Sequence, residues 1–298
     1  MSPSLPRSFL FVPANRPDRF EKAVRSGAHR VIIDLEDAVA PEDKEAARAH
    51  VAQWEGRSTA IVRINGAESP WFAADMAMVA GSGVTMLMVP KADPAALDLA
   101  AAHLGQGCRA VALIETVAGY ANLRTIGKIP LVSQLAFGNL DFGVDDGVTE
   151  LARELDPVRL QIVLESRLAG LPAPIEGVTT AWSDTEAFSA EVRRSKALGF
   201  GAKLCIHPAQ VGLVNDAFLP TPGEVAWAQR VMDATAGRSG AIALDGKMID
   251  GPVIDRARLI LAAEASPGFI MHNAFYVDQR LARGLRVMCV KKIRGGGL

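Results

Sequence analysis

No run of about eighteen consecutive apolar residues occurs in this chain, so no segment has the length and uniform hydrophobicity of a membrane-spanning helix. The opening MSPSLPRSFLFVP lacks the long apolar core of a secretory leader, because Pro13 and Asn15 interrupt the run almost as it begins. Cysteine is scarce. Cys108, Cys205 and Cys289 are odd in number, far apart and without a CxxC pair, which argues against a disulfide framework and a zinc site and fits a reducing compartment. Net charge is nearly absent as well: a formal −1 gives no general drive towards nucleic acid or anionic lipid, so any anionic ligand must be met by a local basic cluster. The chain therefore reads as soluble and cytoplasmic, with neither a nucleic-acid nor a membrane partner.

What is present is apolar material for a large core. Hydrophobic residues make up 49 % of the 298 and charged residues 22 %, which excludes wholesale disorder. Eight short apolar runs recur, each followed by a helix-like stretch: 8–13, 30–37, 59–65, 84–91, 109–116, 133–142, 172–178 and 201–208. Continuous rather than alternating apolarity marks strands buried on both faces, and eight βα units suggest a closed (β/α)8 TIM barrel. Residues 1–218 are expected to form this barrel. Residues 219–266, with LPTPGE, a glycine-bounded hairpin and a helix starting near Pro252, are expected to form a lid or arm. In the remaining 267–298, Arg280, Arg283, Arg286, Lys291, Lys292 and Arg294 face only Asp278, which reads as a basic surface tail with no assigned function.

Polar residues gather where these strands end: Glu36, Asp37, Arg63, Lys91, Glu115, Asp141, Glu176 and His207. In a barrel that face holds the active site, although an open sheet would also bind ligands there. Glu115 ends one run and Asp141 follows the next, so two carboxylates are expected to project into one mouth, a hard-oxygen pair suited to Mg2+ unless each merely caps a helix or pairs with an arginine. Arg63 ends a buried strand and needs an anion, either Glu36 or Asp37 or a substrate oxygen. Arg16 and Lys22, with Pro17 starting a helix, suit phosphate, but solvated cations are common there. His207 beside Cys205 could suggest a dyad. A structural histidine is the expectation.

LFVPANRPDRFEKA, VIIDLEDAVAPEDKEAAR, VRIN, VPK, LIETVAG, LAFGNLDF, GFGAKLCIHPAQ and GKMIDGP together resemble, in order and over about residues 7–265, the signature blocks of the citrate lyase β-subunit-like family, which includes malyl-CoA and citramalyl-CoA lyases. The resemblance implies a TIM barrel, Mg2+, a CoA or acyl-carrier thioester, and aldol- or Claisen-type cleavage in a homotrimer or hexamer. It puts the metal carboxylates on Glu115 and Asp141, the substrate arginine on Arg63, nucleotide contacts on Phe11, Arg16 and Lys22, and a catalytic aspartate, carried into a neighbouring protomer's site, on Asp250. Ala14 stands where relatives usually have glycine, and Asn139-Leu140 replaces acidic or small residues before Asp141, which bears on the substrate more than on the chemistry. Two further readings stay open: a pyruvate-type aldolase without CoA, and a non-catalytic subunit of a lyase complex.

Overall fold

A computed structural model describes residues 5–105, 107–148, 153–237 and 240–264. Eight parallel strands close into one barrel in chain order: β1 Ser8–Pro13, β2 Arg30–Asp34, β3 Ile61–Arg63, β4 Met86–Val89, β5 Arg109–Ile114, β6 Val132–Phe137, β7 Ile175–Glu176 and β8 Ala202–Cys205. Pairing of β1 with β8, Ser8 opposite Lys203, removes the last edge. The helices between them are α1 Phe20–Val24, α2 Lys44–Gln53, α3 Phe72–Ser82, α4 Pro94–His103, α5 Val117–Ala121, α6 Leu123–Ile126, α7 Asn139–Asp146, α8 Asp156–Leu168 and α9 Thr185–Leu198, with α10 Ala209–Ala217 after β8. Local chemistry sets their starts. Asp93 accepts the Ala96 N–H at 2.7 Å ahead of Pro94, and Asp184 caps α9 through Ala187.

Strand alternation divides the apolar residues between two cores. Phe9, Ile32, Ile61, Met88, Val111, Leu113, Ala136, Ile175, Ala202 and Leu204 fill the barrel interior. Their neighbours one residue along, among them Leu10, Val31, Val62, Leu87, Ala112, Leu135 and Cys205, pack outwards against the helices. Each large side chain buried this way contributes about 1.5–3 kcal/mol.

Beyond the barrel, α11 Pro222–Thr235 opens on a full capping box between Thr221 and Glu224. It packs with the hairpin β9 Ile242–Leu244 and β10 Lys247–Ile249 and with α12 Gly251–Glu264 around a small core of Ala228, Val231, Ile249 and Ala257. This third cluster shares no residue with the barrel cores. The basic segment 267–298 lies outside the described residues. No described helix is long and apolar enough to cross a membrane.

Candidate active site at the barrel mouth

The two-residue strand period that buries Phe9, Ile32, Ile61 and Leu113 carries Phe11, Asp34, Arg63 and Glu115 inward at the carboxyl ends of the same strands. Arg63 is 8 % exposed and tightly engaged. Its Nε and Nη2 donate to the two Asp34 oxygens at 2.7 Å each, a bidentate pair matching the β2–β3 register in which Asp34 stands opposite Arg63. Its Nη1 lies 2.9 Å from Glu36 and 3.2 Å from Asp37, and the guanidinium sits 4.9 Å over the Phe11 ring. Burial works against the charge on Arg63, but Asp34, Glu36 and Asp37 outweigh it and raise its pKa. The anion that Arg63 needs is thus chiefly Asp34, a residue not singled out in the sequence, with Glu36 and Asp37 sharing the outer nitrogen.

Asp34 also shapes the loop that follows, accepting the Glu36 N–H at 2.9 Å and the Ala38 N–H at 3.3 Å. From beneath, buried Lys44 donates to the Leu35 and Glu36 carbonyls and to Asn65, and Asn65 is held in turn by Asp75. These contacts fix the backbone under Glu36.

Glu115 is 1 % exposed and accepts the Lys91 N–H at 2.7 Å. Lys91 sits at φ 46, an unusual conformation for a side-chain-bearing residue, and so aims its N–H at that carboxylate. Its ammonium lies 2.9 Å from Glu36 and 3.9 Å from Glu115, linking the Arg63 group to Glu115. Burial, Glu36 and Asp141 together push the Glu115 carboxyl up to about 8. Asp141, exposed in the first turn of α7, is therefore close enough for its charge to act on Glu115. Gly138 makes room for Glu115, because a Cβ there would stand 2.5 Å from the Glu115 Cβ and 2.6 Å from its Oε2.

The other anticipated residues lie apart from this group. Arg16 is exposed and paired with Asp18 at 3.0 Å, and Lys22 is exposed on α1, both on the loop and helix after β1. Asp250, half-buried, follows β10 and heads α12. Glu176 is spent on Arg159 and on the Gly177 N–H. Cys205 is packed in the outer core, where burial pushes its thiol up to about 12, whereas His207 stacks on Trp182. The pair is no thiolate–imidazole dyad.

A closed (β/α)8 barrel that gathers carboxylates and an arginine at its strand ends defines a class in which enzymes place their active sites. Residues 7–208 match the family described as HpcH/HpaI aldolase/citrate lyase, and the chain belongs to that family. A citrate lyase subunit beta-like protein of Deinococcus radiodurans is 38 % identical over 88 % of this chain and 99 % of its own length. A (3S)-malyl-CoA thioesterase (32 %) and an L-malyl-CoA/beta-methylmalyl-CoA lyase (33 %) of Cereibacter sphaeroides align over 88 % and 86 % of the chain and 96 % and 93 % of their own lengths. Among solved structures, CitE of Mycobacterium tuberculosis in complex with magnesium, acetoacetate and coenzyme A superposes with a TM-score of 0.80 at 31 % identity, over 87 % of this chain and 98 % of that one.

Proposed function

We propose that this protein is a Mg2+-dependent carbon–carbon lyase that cleaves a 3-hydroxyacyl thioester of CoA or an acyl carrier (malyl, citramalyl or citryl) into an acyl thioester and a keto acid by retro-Claisen chemistry. The observation that carries this reading is a shortage of positive charge. Glu115 is pushed up to about 8 by burial, Glu36 and Asp141, and the Glu36 Oε2 has for its counter-charge only the Arg63 Nη1 that it shares with Asp37. The donors are all hard oxygens. Glu115 and Asp141 would hold the ion and leave its other positions to water and substrate, as Mg2+ favours. Bound there, Mg2+ would polarise the oxygens of the 2-hydroxy acid portion and lower the hydroxyl pKa. The magnesium and coenzyme A of the crystallised relative support both halves of the assignment.

The chain's own residues orient the rest. Asp34 holds Arg63 rigidly, and exposed Asp37, its weakest contact, is the partner that an incoming substrate oxygen displaces. Arg63 then faces the thioester oxygen. As the hydroxyl proton leaves, the carbon–carbon bond breaks, the hydroxyl oxygen becomes the keto oxygen, and the bonding electrons pass into the thioester enolate beside the guanidinium. Asp250, brought from a neighbouring copy by the arm, exchanges the protons with the substrate in a homotrimer or hexamer. Phe11, Arg16 and Lys22 meet the CoA portion of the substrate, in a cytoplasmic enzyme.

Incubating the purified protein with malyl-, citramalyl- and citryl-CoA and Mg2+, with detection of keto acid by mass spectrometry, tests the proposal. Loss of turnover in both Glu115→Ala and Asp141→Ala supports it, and undiminished activity in both defeats the site. A second reading, hydrolysis of the thioester, is favoured by the thioesterase relative. It is distinguished by free CoA appearing without keto acid. Stabilisation by pyruvate but not by acetyl-CoA, each with Mg2+, would instead favour an aldolase without CoA.

A further inference from the structure

We propose that the amino-terminal end of the barrel, opposite the mouth, holds a second site that binds inorganic phosphate through Arg7, Arg30 and Arg109. Phe9, Ile32 and Val111 face the barrel interior, and each of the three arginines stands two residues before one of them, so strand alternation turns all three towards the axis. The ladder fixes their level. Arg30 opens β2 opposite Phe9, Arg109 opens β5 opposite Met86, and Arg7 prolongs β1, its carbonyl accepting the Lys203 N–H at 2.8 Å. Above them Phe9, Met86 and Val111 pack into the interior core, which separates this end from Arg63 and Glu115.

Positive charge is in excess here, the reverse of the mouth. Arg7 is half-buried, and its enclosed Nε donates no hydrogen bond among the described residues. Burial lowers the pKa of Arg7, and the charge of Asp216, which acts the other way, is the smaller effect. Burial lowers Arg30 as well. Arg109 donates from Nη1 to the Cys108 carbonyl at 3.3 Å, using one arm of its fork. The excess is felt by His29, which is 7 % exposed and held down to about 4 by burial and by Arg7 and Arg30. A guanidinium cannot shed its proton, so a buried one that lacks an acceptor lowers stability until an anion reaches it.

The arrangement selects the ligand. Guanidinium forks pair with the oxygens of phosphate or carboxylate two at a time, and arginines approaching from β1, β2 and β5 would meet one anion from separate sides. A tetrahedral dianion offers oxygens in those directions, whereas a monocarboxylate offers two in one plane and chloride offers none. The assignment is independent of the thioester reading, because none of its residues belongs to the mouth.

The test is titration calorimetry of inorganic phosphate into the metal-free protein at constant ionic strength, with acetate and chloride as controls. It is run on wild type, Arg7→Gln, Arg30→Gln, Asp216→Asn and Arg16→Gln, each checked for fold by circular dichroism. Arg7→Gln and Arg30→Gln should each weaken phosphate by about 10- to 100-fold, the loss of one hydrogen-bonded charged contact. Asp216→Asn should tighten it by up to about fivefold, because a competitor for Arg7 is gone, and a merely loosened fold would not gain affinity. Arg16→Gln, in the loop at the opposite end of β1, should bind as wild type does. A wild type that takes up no phosphate, or takes acetate or chloride equally well, overturns the site. So does unchanged affinity in folded Arg7→Gln and Arg30→Gln, and loss of binding in Arg16→Gln alone would move the anion to the mouth.

Discussion

Replacing Gly138 with alanine puts a methyl group where Glu115 already stands. The new Cβ would lie 2.5 Å from the Glu115 Cβ, against at least 3.4 Å for an ordinary contact, so the two must part by about 0.9 Å. Gly138 is tied by its N–H to the Ile114 carbonyl at 2.9 Å, and Glu115 directly follows β5, so neither backbone yields freely. Overpacking of this kind costs about 1–3 kcal/mol of stability. The larger effect falls on the metal, because Mg2+ requires near-octahedral geometry at about 2.0–2.1 Å and a carboxylate displaced by most of an ångström no longer reaches it. Mg2+ affinity should fall by about 10- to 100-fold, the usual effect of disturbing a ligand's support. Gly81→Ala, at an exposed α3 position where an added Cβ meets nothing within 4 Å, is the control and should leave affinity unchanged. Titration calorimetry of Mg2+ into each protein, with circular dichroism to confirm folding, reads the difference. A folded Gly138→Ala protein binding Mg2+ within twofold of wild type would refute the placement of Glu115 as a ligand.

Asp34→Asn should destabilise the protein by about 3 kcal/mol in urea unfolding, the low end for a broken buried ion pair because Glu36 and Asp37 still face Arg63. Its turnover should fall as well. Glu115→Gln should raise the melting temperature of the metal-free protein near neutral pH by removing the cost of burying an ionisable carboxyl beside Glu36 and Asp141, yet abolish the further rise that Mg2+ gives wild type, both read by differential scanning calorimetry. His29, pushed down to about 4 by burial and by Arg7 and Arg30, accepts the Arg7 N–H at 3.0 Å and is neutral when folded. The unfolded chain binds the extra proton between pH 6.5 and about 4, so stability should decline across that window by at most about 3 kcal/mol and level off below it. His29→Asn should flatten this stretch of the unfolding profile.

The order and number of barrel strands were legible because each apolar run is long enough to be buried on both faces. The ends were less so. The run at 133–142 holds both β6 and the start of α7, since Leu140 and Phe142 continue the apolar pattern of LAFGNLDF past a change from strand to helix that occurs at Gly138. The run at 172–178 yields only Ile175–Glu176 as ladder. Asp34 does not stand out inside VIIDLED, yet two-residue alternation from the inward Ile32 points it into the barrel, and its register partner across the ladder is Arg63. Lys44 and Gln210 left no such trace, because a buried polar residue on a helix face is recognisable only by the distant carbonyls it reaches.

Folding alone does not explain the charge at the mouth. Asp34, Glu36, Asp37, Glu115 and Asp141 are five carboxylates, and among the described residues the cations that act on them are Arg63, Lys91 and, from beneath, Lys44. A stability-driven sequence would replace Glu115 with a neutral side chain, since Lys91 needs only an acceptor for its N–H, and burial together with the neighbouring carboxylates lifts the Glu115 carboxyl far from its ordinary range. Instead the chain adopts a strained φ at Lys91 and keeps Gly138 without a side chain, two local costs that both serve to hold that carboxylate in place. Strain and repulsion concentrated on one group fit a site completed by a divalent cation, and they make the response of stability to Mg2+ the most direct measure of whether this mouth binds one.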